Sequence, residues 1–156
     1  MESVKISDLY DLTQSLAGEA LIELTYPWEM LPKIKELIPV LGEKLDPAVY
    51  EKKGENIWIA RSAKIASTAS ITGPVIIGED TEVRPGAFIR GNALVGNDCV
   101  VGNSTELKNV ILFNNVQHTC TCNTGNTSGI SCSKSNTRKY IIERSVKTGN
   151  RQKVKF

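Results

Sequence analysis

The chain has 156 residues, with 19 Lys and Arg against 17 Asp and Glu, a formal net charge of +2. Its 40% hydrophobic and 23% charged residues are the composition of a globular chain, which excludes collagen, a disordered acidic tail protein and a long coiled coil. No run of about 18 apolar residues is present, and Met1–Lys5 is not a basic start followed by an apolar stretch, so neither a membrane span nor a signal peptide is predicted. The expected compartment is the cytoplasm, where the four cysteines stay reduced. The charge is uneven. Residues 1–117 hold 11 basic and 16 acidic side chains, a net of −5, whereas residues 118–156 hold 8 and 1, a net of +7.

Residues 1–56 read as a helical segment. Leu9, Leu12 and Leu16 recur at helical spacing, with Ser7 or Asp8 as the cap. A second helix is predicted to start near Thr25-Tyr26-Pro27 and to carry an apolar face of Leu31, Ile34, Ile38 and Leu41, with Gly42 as its stop. Residues 52–54 read as connector. A hairpin this small buries too little area to stand alone, so it is expected to pack on the first coil of residues 57–117 or on a neighbouring subunit.

Residues 57–117 carry a six-residue repeat. Ile59, Ile65, Ile71, Ile77, Val83, Ile89, Val95, Val101, Leu107 and Phe113 are large apolar residues at a constant stride of six. Four positions after the anchors come Ala63, Ala69, Val75, Thr81, Ala87, Ala93, Cys99 and Thr105, all small or β-branched. A stride of six fits neither a helix nor a flat alternating strand. It fits short strands separated by corners, with three hexads closing one triangular coil, so that residues 18 apart stack at a strand spacing of about 4.8 Å. The anchors are core positions, and Asn92, Asn97, Asn103 and Asn109 are corner residues suited to left-handed backbone.

Residues 118–156 do not continue the repeat, which is expected to end at Phe113 and Val116. The tail is first rich in Ser, Thr, Asn, Gly and Cys and then basic. It reads as disordered or as the product of a changed reading frame near codon 118. His118, Cys120, Cys122 and Cys132 lack the spacing of common zinc knuckles, so no metal is expected. The basic end (Arg138, Lys139, Arg144, Lys147, Arg151, Lys153, Lys155) has no aromatic interleaving, so nucleic acid is not an expected partner.

The hexads resemble the hexapeptide-repeat family of left-handed parallel β-helix proteins. Taken with the short α-helical N-terminal segment, the expected fold is mainly β, and the resemblance implies the left hand of the coil and side-by-side homotrimers. The stretches Val83-Arg84-Pro85-Gly86-Ala87 and Val101-Gly102-Asn103-Ser104-Thr105-Glu106-Leu107-Lys108-Asn109 resemble the acetyltransferase domain of bifunctional N-acetylglucosamine-1-phosphate uridylyltransferases and its stand-alone relatives. The implied activity is acyl transfer from acetyl-CoA to a sugar nucleotide, with Arg84 and Lys108 on the phosphates or uridine, and Asn103 and Asn109 within the same segment. The alternative is a non-catalytic nucleotide-sugar-binding or trimeric assembly module.

Spacing adds a second grouping. Arg84 and Lys108 are 24 apart and fall on different faces, whereas Arg90 lies 18 before Lys108 and Thr72 lies 18 before Arg90. Arg90 and Lys108 form a vertical cationic pair suited to a phosphate, or to Glu106 and Glu82 as partners on a solvated face. The family uses a histidine base, within a Pro-His-x-x-Tyr-x-Gly-Asp segment absent here. The one histidine, His118, either takes that role or leaves the base missing. One histidine also excludes the three-His zinc site of hexapeptide carbonic anhydrases, and residues 1–56 contain no Gly-rich phosphate loop for uridylyl transfer.

Overall fold

A computed structural model describes residues 6–118 and 141–143. The chain is mainly β: parallel strands stack into a β-solenoid of about three coils, the architecture of a left-handed β-helix, preceded by a short helical segment. Three strand columns make the walls of the prism. Face A stacks β2 (Ile57–Ala60), β5 (Val75–Ile77), β8 (Ala93–Val95) and β11 (Val110–Leu112). Face B stacks β3 (Lys64–Ile65), β6 (Glu82–Val83), β9 (Val100–Val101) and β12 (Gln117–His118). Face C stacks β4 (Ser70–Ile71), β7 (Phe88–Ile89) and β10 (Glu106–Leu107).

The expected inward column is present through its first nine anchors. Ile77, Val83, Ile89, Val95, Val101 and Leu107 are fully or almost fully buried. In the first coil Ile59 is buried, while Ile65 and Ile71, with a coil on one side only, are half-buried. The small register is buried from Val75 onward, with Ala63 and Ala69 of the first coil half-buried. The corner interior leaves no room for bulk, and Thr81, fully buried, satisfies its hydroxyl by donating to the Gly96 carbonyl at 2.7 Å and accepting from the Cys99 amide at 3.1 Å.

The tenth anchor is different. β8 and β11 pair with Val95 opposite Leu112, a step of 17 rather than 18. The missing residue is at the corner between faces C and A, where Gly91-Asn92 in the second coil is replaced by Asn109 alone in the third. Asn92 and Asn109 both take φ of 49°, and the Asn92 side-chain amide donates to the Asn109 side-chain oxygen at 2.7 Å, so one left-handed asparagine does the work of a two-residue turn. Phe113 therefore leaves the interior column. It stands at the register of Gly96 and stacks on Tyr10, with ring centroids 5.4 Å apart. The hexads also run further than expected. β12 places His118 opposite Val101, so the stride resumes through Leu112 and His118 after the short corner.

At the other two corners the left-handed residue is Asp80, Asp98 or Asn115 between faces A and B, and Gly86 or Ser104 between faces B and C. Asn97 and Asn103, expected to adopt that backbone, precede it by one residue. Asn97 instead stitches coils together: its side-chain oxygen accepts from the Glu79 amide, and its own backbone amide donates to the Asn114 side chain, each at 2.9 Å.

The helical segment is more broken than the sequence predicts. It consists of α1 (Ile6–Leu9), a 3-10 turn Leu12–Gln14, α2 (Gly18–Ile22), a 3-10 turn Pro27–Met30 and α3 (Ile34–Lys44). Asp11 caps the first 3-10 turn by accepting from the Thr13 amide. Gly18 sits against the Leu12 carbonyl, where a side chain would overlap backbone. The segment packs on face A and spans coils rather than resting on the first one: α3 contacts β5 and β8, and the Asn114 amide donates to the Gln14 carbonyl. That explains why face A strands are continuous apolar runs, Val-Ile-Ile, Ala-Leu-Val and Val-Ile-Leu, buried on both sides. Gly42 is not a stop. It lies inside α3, and the Trp58 indole occupies the space a Cβ would need.

Residues 50–54, part of which reads as connector in the sequence, form β1 (Tyr50–Gly54), antiparallel to β2. β13 (Ile141–Glu143) pairs antiparallel with β11. No helix among the described residues is long and apolar enough to cross a membrane. Cys120, Cys122, Cys132 and the seven basic residues from Arg138 onward lie outside the described residues, as does most of the stretch expected to be disordered or frame-shifted.

Gly42→Ala should destabilise the chain by about 1–2 kcal/mol in denaturant titration, because overlap with the indole exceeds the ~1 kcal/mol gain in helix propensity. Trp58→Leu in the same chain should return part of that loss, and additivity of the two changes would contradict the contact. Burial, then the nearby Glu79 charge, raises the Tyr50 phenol above its usual pKa of 10.0. A folded-state pKa raised above the unfolded value means this contribution is intact below about pH 10 and is lost as pH rises through the folded pKa. Thermal scans should show Tyr50→Phe losing less stability than the parent above pH 10.

Candidate functional site

The outward positions of faces B and C carry the candidate residues, since face A is under the helices. Along a two-residue strand the anchor points inward and its two neighbours point outward. On face C these neighbours are Ser70 and Thr72, Phe88 and Arg90, and Glu106 and Lys108, with Phe88 opposite both Ser70 and Glu106.

Arg90, Glu106 and Lys108 are brought together here. The Arg90 guanidinium donates to Glu106 at 2.9 Å, and both side chains are about half exposed. The same guanidinium lies 5.5 Å from the centre of the Phe88 ring. The Arg90 amide donates to the Leu107 carbonyl, which fixes Lys108 directly below Arg90 in the next coil, about one strand spacing away. Lys108 is exposed. The cluster thus offers two cations, one of them shared with a carboxylate, beside a flat apolar ring. An exposed ion pair of this kind adds only about 0–1 kcal/mol to stability, so its weight is in orienting the guanidinium.

Arg84 is elsewhere. It stands on face B, where its Nε donates to Glu82 at 3.1 Å. Asn103 is exposed at the corner between faces B and C, and its carbonyl accepts from the Thr105 hydroxyl at 3.5 Å. Asn109 is at the corner between faces C and A, engaged with Asn92. Arg84 and Lys108 therefore do not converge within one chain, as their 24-residue separation implies.

His118 is at a core register. It sits opposite Val101, in the column Ile65–Val83–Val101, is 8% exposed, and its carbonyl accepts from the Gly102 amide at 2.7 Å. It belongs to face B, away from the Arg90–Lys108 surface.

Phe88 is not among the residues that motif and spacing single out, although a signal exists. The residues just before the anchors on faces B and C are Lys64, Ser70, Glu82, Phe88, Val100, Glu106 and Gln117, in which one aromatic stands among mostly polar neighbours. Phe88 is one of three large hydrophobic side chains exposed among the described residues, with Ile22 and Val40. No group of three or more His, Cys, Asp or Glu able to hold a metal occurs among the described residues.

No family model matches the chain, and no curated protein or solved structure matches it.

Replacing His118 by Val, the residue its column already uses at two levels, should keep the fold. Chemical denaturation should show a change of no more than about 1 kcal/mol in either direction, since an aliphatic side chain suits the same inward position. A loss above about 2 kcal/mol would contradict the core assignment.

Proposed function

We propose that the protein is a hexapeptide-repeat binding module of the nucleotide-sugar class, holding the anionic part of its ligand at Arg90 and Lys108 on face C. Two stacked cations at one strand spacing repel unless an anion or carboxylate lies between them, and among the described residues Glu106 pairs with Arg90 and not with Lys108. A phosphate bridging Arg90 and Lys108 relieves that repulsion. The Thr72 hydroxyl position above and the Phe88 ring beside it fit the neutral parts of such a ligand.

The observation that carries the non-catalytic choice is the placement of His118. It is the chain's one histidine, and it stands in a core column rather than beside the cations. Acyl transfer from acetyl-CoA needs a base within reach of the acceptor. Self-assembly into a homotrimer belongs to the same proposal. Prisms packed side by side use faces B and C, because the helical segment covers face A.

Calorimetric titration with a uridine sugar nucleotide should show binding. Lys108→Ala should weaken it at least about tenfold, the scale of one lost charge-assisted hydrogen bond. Glu106→Gln should strengthen it severalfold by releasing Arg90. Incubation with acetyl-CoA and amino-sugar phosphates should release no free CoA. CoA release that His118→Val abolishes would establish the acetyltransferase instead. Absence of heat at millimolar ligand would remove the phosphate site.

A further inference from the structure

Phe88 is the one aromatic among the large hydrophobic side chains exposed among the described residues, with 40% of its surface left in water. It stands on a face whose other outward positions are polar. Ser70 is opposite it in the coil above and Glu106 in the coil below. Arg90 is two positions along the same strand, about 7 Å away by strand rise. Its guanidinium leans back over the Phe88 ring, 5.5 Å from the centre, while it holds Glu106 at 2.9 Å. The chain neighbours Ala87 and Ile89 are buried. The ring is thus a flat apolar surface standing next to the Arg90–Lys108 column.

We infer that Phe88 is a stacking platform for the base of a nucleotide, and that the site takes nucleotides with little choice of base. The inference rests on the reading of Arg90 and Lys108 as the anion site. A ribose bridges the step from a phosphate in the Arg90–Lys108 column to a base lying on the ring. Every base offers a π face, and stacking on an aromatic beside an arginine needs no hydrogen bond to the base edge. The flanking groups leave that edge unread. Glu106 is held by Arg90, and the Ser70 hydroxyl both donates and accepts, so it does not distinguish one base from another. A sugar ring suits the platform less well, because each of its hydroxyls needs a partner and the outward hydroxyls are those of Ser70 and Thr72 alone. A purine has the larger π face, so an adenine nucleotide should bind at least as tightly as a uracil nucleotide.

Calorimetric titration of the full chain with pyrophosphate, ribose 5-phosphate, adenosine monophosphate and uridine monophosphate tests the platform. Ribose 5-phosphate carries the sugar and the charge of the nucleotides without the base. Both nucleotides should bind at least about fivefold tighter than ribose 5-phosphate, the adenine nucleotide no weaker than the uracil one. Phe88→Leu should shrink that gap to within about twofold, and Phe88→Trp should widen it. Sedimentation should give the parent and Phe88→Leu the same species. Nucleotides no tighter than ribose 5-phosphate, a tenfold preference for uracil, a gap that survives Phe88→Leu, or a smaller species in that variant overturns the platform. The anion site stands through any of these results if pyrophosphate binds and Lys108→Ala weakens it. Pyrophosphate that fails to bind removes the anion site and the platform with it.

Discussion

Everything in this chain hangs on backbone ladders that hold one coil against the next. In a solenoid each inward aliphatic has lateral neighbours in its own coil and vertical neighbours one coil away, so a core forms only if the coil length is held. Val83 lies opposite Val101, Ile89 opposite Leu107 and Ile77 opposite Val95 because each coil returns after the same number of residues. Each such side chain contributes on the order of 1.5–3 kcal/mol through burial, so a slip that turns a column outward is costly. That cost confines the one change of length to a corner. The third coil drops a residue between faces C and A, where Asn109 turns the chain alone, and Leu112 and His118 remain in the columns of Val95 and Val101.

The same constraint divides the faces by role. Face A has apolar side chains both inside and outside, and its outer row of Trp58, Ile76, Leu94 and Ile111 is buried. The helical segment is shaped to that row: Gly42 makes room for the Trp58 indole, and Tyr10 meets Phe113. Faces B and C keep mostly polar exteriors, and there the cationic candidates stand. Lys52 also lies over the Trp58 ring at 5.2 Å, so β1 helps hold the aromatic that seats α3.

The solenoid itself is legible in the sequence, because a stride of six repeated over Ile59 to Leu107 has few physical solutions. The covered face is legible too, in the residue before every third anchor, although its meaning depends on knowing that three hexads make a coil. Arg90 and Lys108 can be paired by counting eighteen. The short corner is hidden. A fixed stride puts Phe113 in the core and ends the repeat before His118, whereas one omitted residue moves Phe113 out to Tyr10 and brings His118 in. A constant period cannot show a deletion when an aliphatic and an aromatic stand next to each other and either could fill the column. The broken helices are equally hidden, since Gly42 looks like a stop until the indole against it is known.

The placement of both Phe113 and His118 depends on the short corner, and methyl-resolved NMR tests it most directly. Cross-peaks should connect the Leu112 methyls to Val95 and the Phe113 ring to Tyr10. Cross-peaks from the Phe113 ring to the Val95 methyls, with none from Leu112, would mean that the coil keeps eighteen residues and that His118 lies outside the core.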